Sequence, residues 1–347
     1  MKEKMKAIAV TSAGNVSIVS DVPVPVPDEY EALVRVHACG ICNGTDLQII
    51  NGFLTKEEGM GDYPTLLGHE AAGEVVSLGG KVRYIKQGDR FIRPNLKPGS
   101  LDGYSRTYGN MAEYGLVADR KAMLEDGYSE EELPFRDSMG QIPRDFDFVD
   151  AGVLLSLLEC HSAVENFGIQ SGMDVLIYGA GPMGLGMMSF IRKKTSGFLA
   201  AVDGVRSRLE HAAGVADVDM AIDYTAVDVE TAVGGRRFDA VIDCVGFTEI
   251  ILRGTKQLKP GGKLCAMGVL KSDDFMFDLS GLSNNTSLHM LNFPYKRFGS
   301  LDAVVKSIES GDIRPKDYYS HVFRFEEFEK ALELIRTKQA FKAVLTF

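Results

Sequence analysis

Two stretches in the N-terminal part of the chain contain side chains that could bind a metal ion. Cys42 lies in the run HACGICNGTDLQI, and His69 and Glu70 follow in a GHE triplet. A thiolate and an imidazole are ligands suited to zinc, and the neighbouring carboxylate could coordinate directly or through water. Asp46 could hold the free imidazole nitrogen of His69 and fix its tautomer. By itself this pattern is compatible with a zinc site that has Cys42, His69 and Glu70 as candidate ligands.

The same cysteines allow two other interpretations. Cys39 and Cys42 form one CxxC pair, whereas a structural four-cysteine zinc site needs a second pair that the chain lacks. A redox CxxC is the competing interpretation, but the thioredoxin-like setting is absent. Cys39 and His37 lie in an alternating, strand-like run, so we expect a core residue and a structural histidine there.

A glycine-rich segment further along the chain could bind phosphate groups. In DVLIYGAGPMG, Gly179, Gly181 and Gly184 follow a strand-like run and precede a helix-like run. The first glycine would make the tight turn, the second would let the backbone approach a pyrophosphate, and the third would let the helix pack on the strand. Met183 lies in the same turn. A plain glycine turn is the alternative, but the order of strand, turn and helix favours a dinucleotide site.

An acidic residue after the next strand bears on which dinucleotide binds. Asp203 ends that predicted strand, at the distance from the glycines where an acid would bind the ribose hydroxyls. A carboxylate there repels a 2′-phosphate, which favours NAD over NADP. Arg206 and Arg208 keep NADP possible, because either guanidinium could pair with that phosphate.

Composition restricts the class of protein that carries these residues. The chain has 347 residues, 45% hydrophobic and 25% charged, which predicts a globular protein of two domains. A net charge of −10 argues against a nucleic-acid or anionic-membrane partner. No apolar run approaches the ~20 residues that span a bilayer, and no signal peptide is recognisable. Five cysteines are an odd and sparse set for this length and argue against a disulfide framework, so we expect a cytoplasmic protein.

The spacing of hydrophobic residues along the chain changes near residue 150. Before it, short β-type runs alternate with glycine and proline; after it, apolar runs such as DVLIYGAG and FDAVIDCVG are separated by helix-like stretches. Apolar runs without polar alternation are typical of strands buried on both faces of a parallel sheet. The C-terminal part predicts an amphipathic helix and a strand that could return to the first domain.

With these motifs the chain resembles the zinc-dependent medium-chain dehydrogenases/reductases, which include alcohol, sorbitol and threonine dehydrogenases. The likeness runs from about residue 5 to the C-terminus. It rests on the motifs C-G-I-C at 39–42, T-D at 45–46, Y-P-T-L-L-G-H-E-A-A-G-E-V at 63–75, G-D-R-F at 88–91, G-A-G-P-M-G at 179–184, F-D-A-V-I-D-C-V-G at 238–246 and L-K-P-G-G-K-L at 258–264.

The resemblance implies an α/β protein with two domains. A GroES-like β catalytic domain would cover residues 1–155 and 295–347, and a Rossmann domain with a doubly wound parallel sheet would cover residues 156–294. Asp203 and Arg208 match family positions around the adenosine ribose, and Met183 with the glycine turn belongs to the cofactor site.

The resemblance also implies roles for the metal-site residues. Cys42 and His69 match zinc ligands, and Glu70 matches a nearby or alternating ligand. Thr45 matches the hydroxyl that passes on the substrate proton, and Asp46 matches the residue that orients His69.

The chain departs from the family pattern around the first ligand. The family usually has one residue between this cysteine and Ser/Thr-Asp, whereas Asn43 and Gly44 make two here. We therefore expect a bulged loop, in which Thr45 matches its family position less closely than Cys42 does. Gln48 replaces a common histidine and cannot exchange protons as an acid or base, so proton exit would take another route.

The third protein ligand is also missing from its usual place near the domain junction, which falls on Leu154 to Ser156. Glu159 lies one helical turn beyond Leu155, so we expect it to complete the zinc site or cap its pocket. His161 points about 200° away from Glu159 on a helix and is interpreted as a packing residue. Residues 94–110 contain no cysteine, so the structural zinc lobe of many relatives is missing.

These observations predict hydride transfer between a secondary alcohol and NAD, with a weak preference for polyols or sugar alcohols. The alternatives are a zinc-independent quinone or enone reductase of the same fold and a non-catalytic NAD-binding protein. We expect a small-molecule substrate and a homodimer or homotetramer, because the last sheet strand, TSLHMLNF, would otherwise leave an exposed apolar edge.

Overall fold

The computed structural model describes residues 3–53, 62–97, 101–106, 109–135, 138–270, 274, 276–292 and 294–347, so parts of the cysteine-free stretch 94–110 lie outside the described residues. The chain forms two compact units. One contains Met1–Leu155 and Arg314–Phe347, and the other contains Ser156–Ile313.

The N-terminal part of the first unit is mostly β-structure. Its strands are β1 Lys4–Ser12, β2 Asn15–Pro23, β3 Glu31–Gly40, β4 Thr65–Leu66, β5 Glu70–Leu78, β6 Arg90–Ile92, β7 Ser105–Arg106, β8 Tyr114–Ala118 and β9 Gly140–Ile142. Its helices are α1 Thr45–Asn51, α2 Arg120–Glu125 and α3 Phe148–Ala151. Four strands form a sheet in the order β2-β1-β4-β7. In β3, Val34 and Val36 are buried whereas Arg35 is exposed, so the alternation seen in the sequence selects the face that packs on the core.

The second unit is a parallel sheet with helices between its strands. Its strands are β10 Val175–Tyr178, β11 Leu199–Asp203, β12 Met220–Asp223, β13 Phe238–Asp243, β14 Leu258–Ala266 and β15 Ser287–Met290. Its helices are α4 Leu154–Asn166, which begins just before the unit boundary, α5 Pro182–Lys194, α6 Arg206–Ala216, α7 Val229–Ala232, α8 Thr248–Lys256 and α9 Leu301–Glu309.

The strands of the second unit follow the order β12-β11-β10-β13-β14-β15, and every neighbouring pair is parallel. The predicted doubly wound parallel sheet is therefore confirmed. β10 lies where the strand order reverses, and ligands of such sheets bind outside the carboxyl ends of the strands at this point. β15 is the edge strand, as predicted, and its Leu288 and Met290 are about two-fifths exposed, at 38% and 43%.

The chain then returns to the first unit through β16 His321–Arg324, α10 Phe328–Arg336 and β17 Ala343–Thr346. β17 pairs antiparallel with β3, which joins it to a larger sheet of order β16-β17-β3-β5-β6-β9, with β8 also paired to β3. The return begins at residue 314 and not at 295 as we expected. α9 and the residues up to Ile313 belong to the second unit, and there Asp312 forms a 3.0 Å ion pair with Lys193 of α5.

None of the described helices is both long enough and apolar enough to cross a bilayer.

Candidate functional site

The pairing of β3 with β5 brings the three candidate metal ligands together. Glu70 is the first residue of β5 and lies opposite Gly40 at the end of β3, and Cys42 follows two residues later. His69 immediately precedes β5. The side-chain ligand atoms of Cys42, His69 and Glu70 all lie within 4.8 Å of one another. The register of β3 against β5 thus brings His69 and Glu70, which are distant in sequence, close to Cys42.

This group has the chemistry and the size of a zinc site. Ligand atoms about 2.0–2.3 Å from a tetrahedral ion lie roughly 3.3–3.8 Å from each other. His69 Nε2 lies 3.9 Å from Glu70 Oε1, so a small closure would give that spacing. His69 and Glu70 are buried and Cys42 is half-buried. A thiolate, an imidazole and a carboxylate with one position open are the donor pattern of catalytic zinc sites.

Asp46 lies behind the group and contacts two of its members. Its Oδ2 accepts a 2.8 Å hydrogen bond from the Cys42 backbone N–H, and its Oδ1 lies 3.5 Å from His69 Nδ1. Burial opposes a charged His69, but Asp46 and Cys42 raise the pKa of this histidine well above its usual value. Zinc binds a neutral imidazole nitrogen, so metal binding here would release a proton.

A buried lysine that the sequence pattern did not reveal lies beside the candidate ligands. Lys342 Nζ donates a 2.7 Å hydrogen bond to Glu70 Oε1, and the side chains of both are at most 3% exposed. Burial alone would lower the pKa of Lys342, but the negative charges of Glu70 and Cys42 raise it, so the ammonium stays charged. A Cβ at Gly40 would lie 2.2 Å from the Gly152 carbonyl oxygen and 3.2 Å from Glu70 Oε2. Glycine at that position therefore permits the close approach of the Gly152 backbone beside the ion pair.

The extra residue between Cys42 and the Thr-Asp pair has a partner in the C-terminal segment. Asn43 Nδ2 donates a 2.8 Å hydrogen bond to the Phe341 carbonyl, and Gly44 forms the N-cap of α1. Thr45 begins α1, and its backbone N–H points to Cys42 Sγ at 3.4 Å.

In the second unit, the glycine turn joins β10 to α5. Gly179 has φ +97°, and a Cβ on Gly184 would lie 1.8 Å from the Gly179 carbonyl oxygen. Only glycine therefore allows the helix to start this close to the strand. Gly181 is the N-cap of α5, and the Met183 carbonyl accepts a 3.3 Å hydrogen bond from the Cys160 thiol.

Asp203 links the end of β11 to this turn. Its Oδ2 accepts a 2.8 Å hydrogen bond from the Ala180 N–H, and its Oδ1 accepts another of 2.8 Å from the Val205 N–H. Each carboxylate oxygen keeps a second lone pair. Asp203, which we expect near the ribose, thus also holds the backbone of the glycine turn, which we expect near the phosphates.

The structure shows a partner for Glu159 that the sequence did not predict. Glu159 Oε1 accepts a 2.8 Å hydrogen bond from Arg297 Nη1, and these side chains are only 18% and 15% exposed. Among the described residues, Cys42, His69 and Glu70 form the one group of acids, thiols and imidazoles close enough to share a metal. Glu159 is outside this group, and its role as ligand or cap stays a prediction.

Three other residues singled out in the sequence make packing contacts. His161 Nδ1 lies 2.9 Å from Ser300 Oγ, and its ring meets Phe190 edge-on. His37 stacks on Phe148 with ring centroids 4.3 Å apart, and Cys39 is fully buried in a hydrophobic cluster.

Comparison with known proteins gives two matching family models. Residues 28–125 match the alcohol dehydrogenase GroES-like domain, and residues 216–344 match the zinc-binding dehydrogenase model. A sorbitol dehydrogenase of Halalkalibacterium halodurans is 24% identical, over 99% of both chains. An NADPH-dependent alkenal/one oxidoreductase of Arabidopsis thaliana is 25% identical, over 99% of this chain and 80% of its own.

A solved structure shows the same fold. Benzyl alcohol dehydrogenase from Acinetobacter calcoaceticus superposes with a TM-score of 0.83 at 18% identity, covering 100% of both chains. The predicted combination of a GroES-like domain and a Rossmann domain is therefore confirmed, and the relatives support an oxidoreductase.

Proposed function

Because the chain belongs to the zinc-dependent medium-chain dehydrogenase/reductase family, we propose that it transfers a hydride between a secondary alcohol, in particular a polyol or sugar alcohol, and NAD with the help of one zinc ion. The observation that carries this proposal is the group formed by Cys42, His69 and Glu70, whose ligand atoms lie within 4.8 Å of one another. An oxidoreductase that did not use a metal would have no need to bury these three groups together.

In this proposal Cys42, His69 and Glu70 hold the ion, and Glu70 takes the place of the ligand missing near the domain junction. Bound zinc supplies a Lewis acid that lowers the pKa of a substrate hydroxyl. Asp46 orients His69 through Nδ1 and holds the Cys42 loop through its backbone N–H. The Thr45 hydroxyl would relay the substrate proton, taking it up as its own proton passes to water. Glu159 is the second candidate for the third ligand or for a cap on the pocket.

The proposal assigns NAD as the cofactor because of the charges at the carboxyl edge of the parallel sheet. Asp203 and Asp223 end the neighbouring strands β11 and β12, and two carboxylates there disfavour a 2′-phosphate. Arg206 is already paired with Glu210 at 2.9 Å, which reduces its attraction for such a phosphate. Gly179, Gly181, Met183 and Gly184 would surround the pyrophosphate.

Two further parts of the proposal concern substrate and assembly. A sorbitol dehydrogenase among the relatives supports a polyol substrate, as does the cysteine-free stretch 94–110. The partly exposed apolar side chains of the edge strand β15 support pairing with a second copy of the chain, as a homodimer or within a homotetramer.

The proposal is tested by assaying the zinc-loaded protein for NADH formation with a panel of simple alcohols, polyols and sugar acids. Zinc-stripped protein and protein with zinc restored provide the control. We expect NADH formation from at least one polyol, loss of activity on stripping, and recovery on reloading. Equal activity of stripped and loaded protein would refute the zinc-dependent mechanism.

A second candidate function is zinc-independent reduction of an enone. The Arabidopsis relative, an alkenal/one oxidoreductase, favours it, and so does the absence of a ligand at Leu154 to Ser156. This function predicts that zinc-stripped protein oxidises NADPH with an enone and that Cys42→Ala leaves this reaction intact. A non-catalytic NAD-binding protein would show neither reaction while still binding NAD.

A further inference from the structure

The antiparallel pairing of β3 with β17 continues beyond the end of β3. Within the strands, the pairing reaches Gly40, which lies opposite Val344. One residue further along, the Ile41 N–H donates a 2.9 Å hydrogen bond to the Ala343 carbonyl. Each step forward on one segment is therefore still matched by one step back on the other, and the register is unchanged.

The inserted residue Asn43 occupies the next hydrogen-bonded position of this ladder. In an antiparallel pair, the directly hydrogen-bonded positions recur at every second residue, so the step from Ile41 and Ala343 leads to Asn43 and Phe341. There the donor is a side chain, because Asn43 Nδ2 donates a 2.8 Å hydrogen bond to the Phe341 carbonyl. The amide thus takes the place of a backbone N–H and extends the ladder by one bond.

Cys42 lies between the two hydrogen bonds that end the ladder. Its neighbours Ile41 and Asn43 each donate one of these bonds to the opposite segment. On that segment the two acceptors flank Lys342, so the register places the candidate zinc ligand across from the lysine of the buried ion pair. The two bonds together fix the backbone that carries the Cys42 thiol.

The acceptor of the Asn43 amide is itself held in place. The Phe341 N–H donates a 2.8 Å hydrogen bond to Ser320 Oγ, and the Ser320 N–H donates one of 2.9 Å to the Lys342 carbonyl. These bonds hold the chain on both sides of the Phe341 carbonyl. The amide of Asn43 is therefore attached to a well-supported part of the first unit.

Stability alone does not explain the amide of Asn43. Its Oδ1 is buried and accepts no hydrogen bond from the residues that the structure describes. The two ends of the amide cannot exchange places, because a carbonyl accepts a hydrogen bond and cannot donate one. A buried acceptor without a donor lowers the free energy of unfolding, which offsets part of the contribution of the bond from Nδ2. The main effect of the side chain is then on the geometry of the Cys42 loop.

We infer that Asn43 is a positioning residue for the zinc ligand Cys42. This inference rests on the proposed zinc site and concerns a residue that the family pattern lacks, since the family usually has one residue fewer before the Ser/Thr-Asp pair. The extra residue lets the chain follow the ladder for one more position before it turns into α1. The bond to Phe341 keeps the thiol beside His69 and Glu70 when no metal is bound. Zinc binding then requires less ordering of the loop, which raises the affinity.

The test replaces Asn43 with leucine, which has nearly the same shape and donates no hydrogen bond. Zinc dissociation constants are measured on the full chain by competition with a chelator. We expect Asn43→Leu to bind zinc roughly 10-fold more weakly, the lower end of the loss that follows changes around metal ligands. Asn43→Gln keeps an amide donor on a longer side chain and should recover part of the affinity.

Asn15→Leu is the matched control from the same unit. The Asn15 amide is exposed and donates a 2.7 Å hydrogen bond to Ser12 Oγ at the turn between β1 and β2. This variant loses an amide donor that does not touch the Cys42 loop. Its zinc dissociation constant should equal that of the wild type within error.

Two further measurements separate positioning from a general loss of stability. Cobalt(II) bound in place of zinc gives a thiolate-to-metal charge-transfer band, which reports the geometry of the metal–sulfur bond. Asn43→Leu should shift this band, whereas a change that only weakens the fold would leave it in place. The urea midpoint of zinc-free Asn43→Leu should stay close to that of the wild type, because the hydrogen bond and the unsatisfied oxygen disappear together.

Different results would overturn different statements. An unchanged zinc dissociation constant or an unchanged cobalt spectrum in Asn43→Leu would overturn the inference, as would an equal loss of affinity in Asn15→Leu. Each of these results leaves the zinc site of the wild type intact. Wild-type protein that takes up no zinc would instead refute the proposed metal site, and the inference with it.

Discussion

The candidate metal site and the glycine turn are built by opposite means. The metal site buries ionisable side chains and balances them, with Lys342 against Glu70 and Asp46 against His69. The turn removes side chains so that the backbone itself can contact a ligand, and Gly184 permits an approach that no Cβ would allow. The first design depends on residues 272 positions apart, whereas the second is complete within one strand, turn and helix. Substitutions should therefore disturb the two regions separately.

The largest expected effect is loss of the metal site in Cys42→Ala. Without the thiolate we expect less than one zinc per chain and a kcat/KM for alcohol oxidation lower by roughly 1000-fold or more, because a metal contributes several kcal/mol to the transition state. NAD binding should stay unchanged. Zinc analysis, steady-state kinetics and cofactor titration measure the three quantities. Cys39→Ala is the matched control from the same CxxC pair and should keep its zinc; loss of zinc there would implicate Cys39 as a ligand.

Lys342→Met tests the charge balance of the metal site. Leaving Glu70 buried without its cation should destabilise the zinc-free protein by about 3–5 kcal/mol, measured by urea unfolding. Zinc should restore more stability to this variant than to the wild type, because the ion replaces the missing positive charge. The double variant Lys342→Met with Glu70→Gln should regain most of the stability of the zinc-free form. If Lys342→Met were as stable as the wild type, the ion pair of Lys342 and Glu70 would make no net contribution to the free energy of unfolding.

Gly184→Ala tests the glycine turn alone. The new Cβ meets the Gly179 carbonyl oxygen, so the turn must shift. We expect NAD binding to weaken by roughly 10- to 100-fold, as for a clash of about 1–3 kcal/mol. Zinc content should be normal. Gly214→Ala is the control, since it lies within α6 and nothing lies within 4 Å of its added Cβ; it should bind NAD normally and gain about 0.5–1 kcal/mol of stability. Reduced zinc in Gly184→Ala would contradict the independence of the two regions.

The smallest expected effect belongs to Glu159→Gln, which asks whether the second unit contributes to the metal site. The variant removes the charge that faces Arg297 and should lower the free energy of unfolding by about 1 kcal/mol. With Glu70 as the third ligand, zinc content and turnover should remain at wild-type levels. A loss of zinc with little change in stability would instead identify Glu159 as a ligand.

The glycine turn could be predicted from the sequence because its determinants are local. Gly179, Gly181 and Gly184 follow one strand, and Asp203 ends the next, so strand order alone places them together. Strands that are buried on both faces of a sheet appear in the sequence as uninterrupted apolar runs. The parallel sheet could therefore be predicted, and the structure confirms it. The pairing of β3 with β5 then explains how Cys42, His69 and Glu70 meet.

The partners of buried charges could not be predicted. Lys342 looks like any other lysine in the sequence, and only the pairing of β17 with β3 brings it to Glu70. The pair formed by Glu159 and Arg297 is hidden for the same reason, since 138 residues separate its members. The place of Glu159 one helical turn beyond Leu155 leads to the expectation of a metal contact, and nothing in the sequence near Glu159 indicates the arginine. The return to the first unit lies at residue 314 and not at 295, because α9 belongs to the second unit, which the sequence pattern did not indicate.

The distance along the chain between Glu70 and Lys342 has a consequence for biosynthesis. A ribosome adding about 5–20 residues per second needs roughly 14–54 s to make the 272 residues that separate them. During this interval the nascent polypeptide contains both strands that present the thiol, the imidazole and the carboxylate, but not the ammonium group that balances them. The parallel sheet of the second unit is translated entirely within the same interval. A metal ion captured cotranslationally would reach Glu70 before Lys342 has been synthesised.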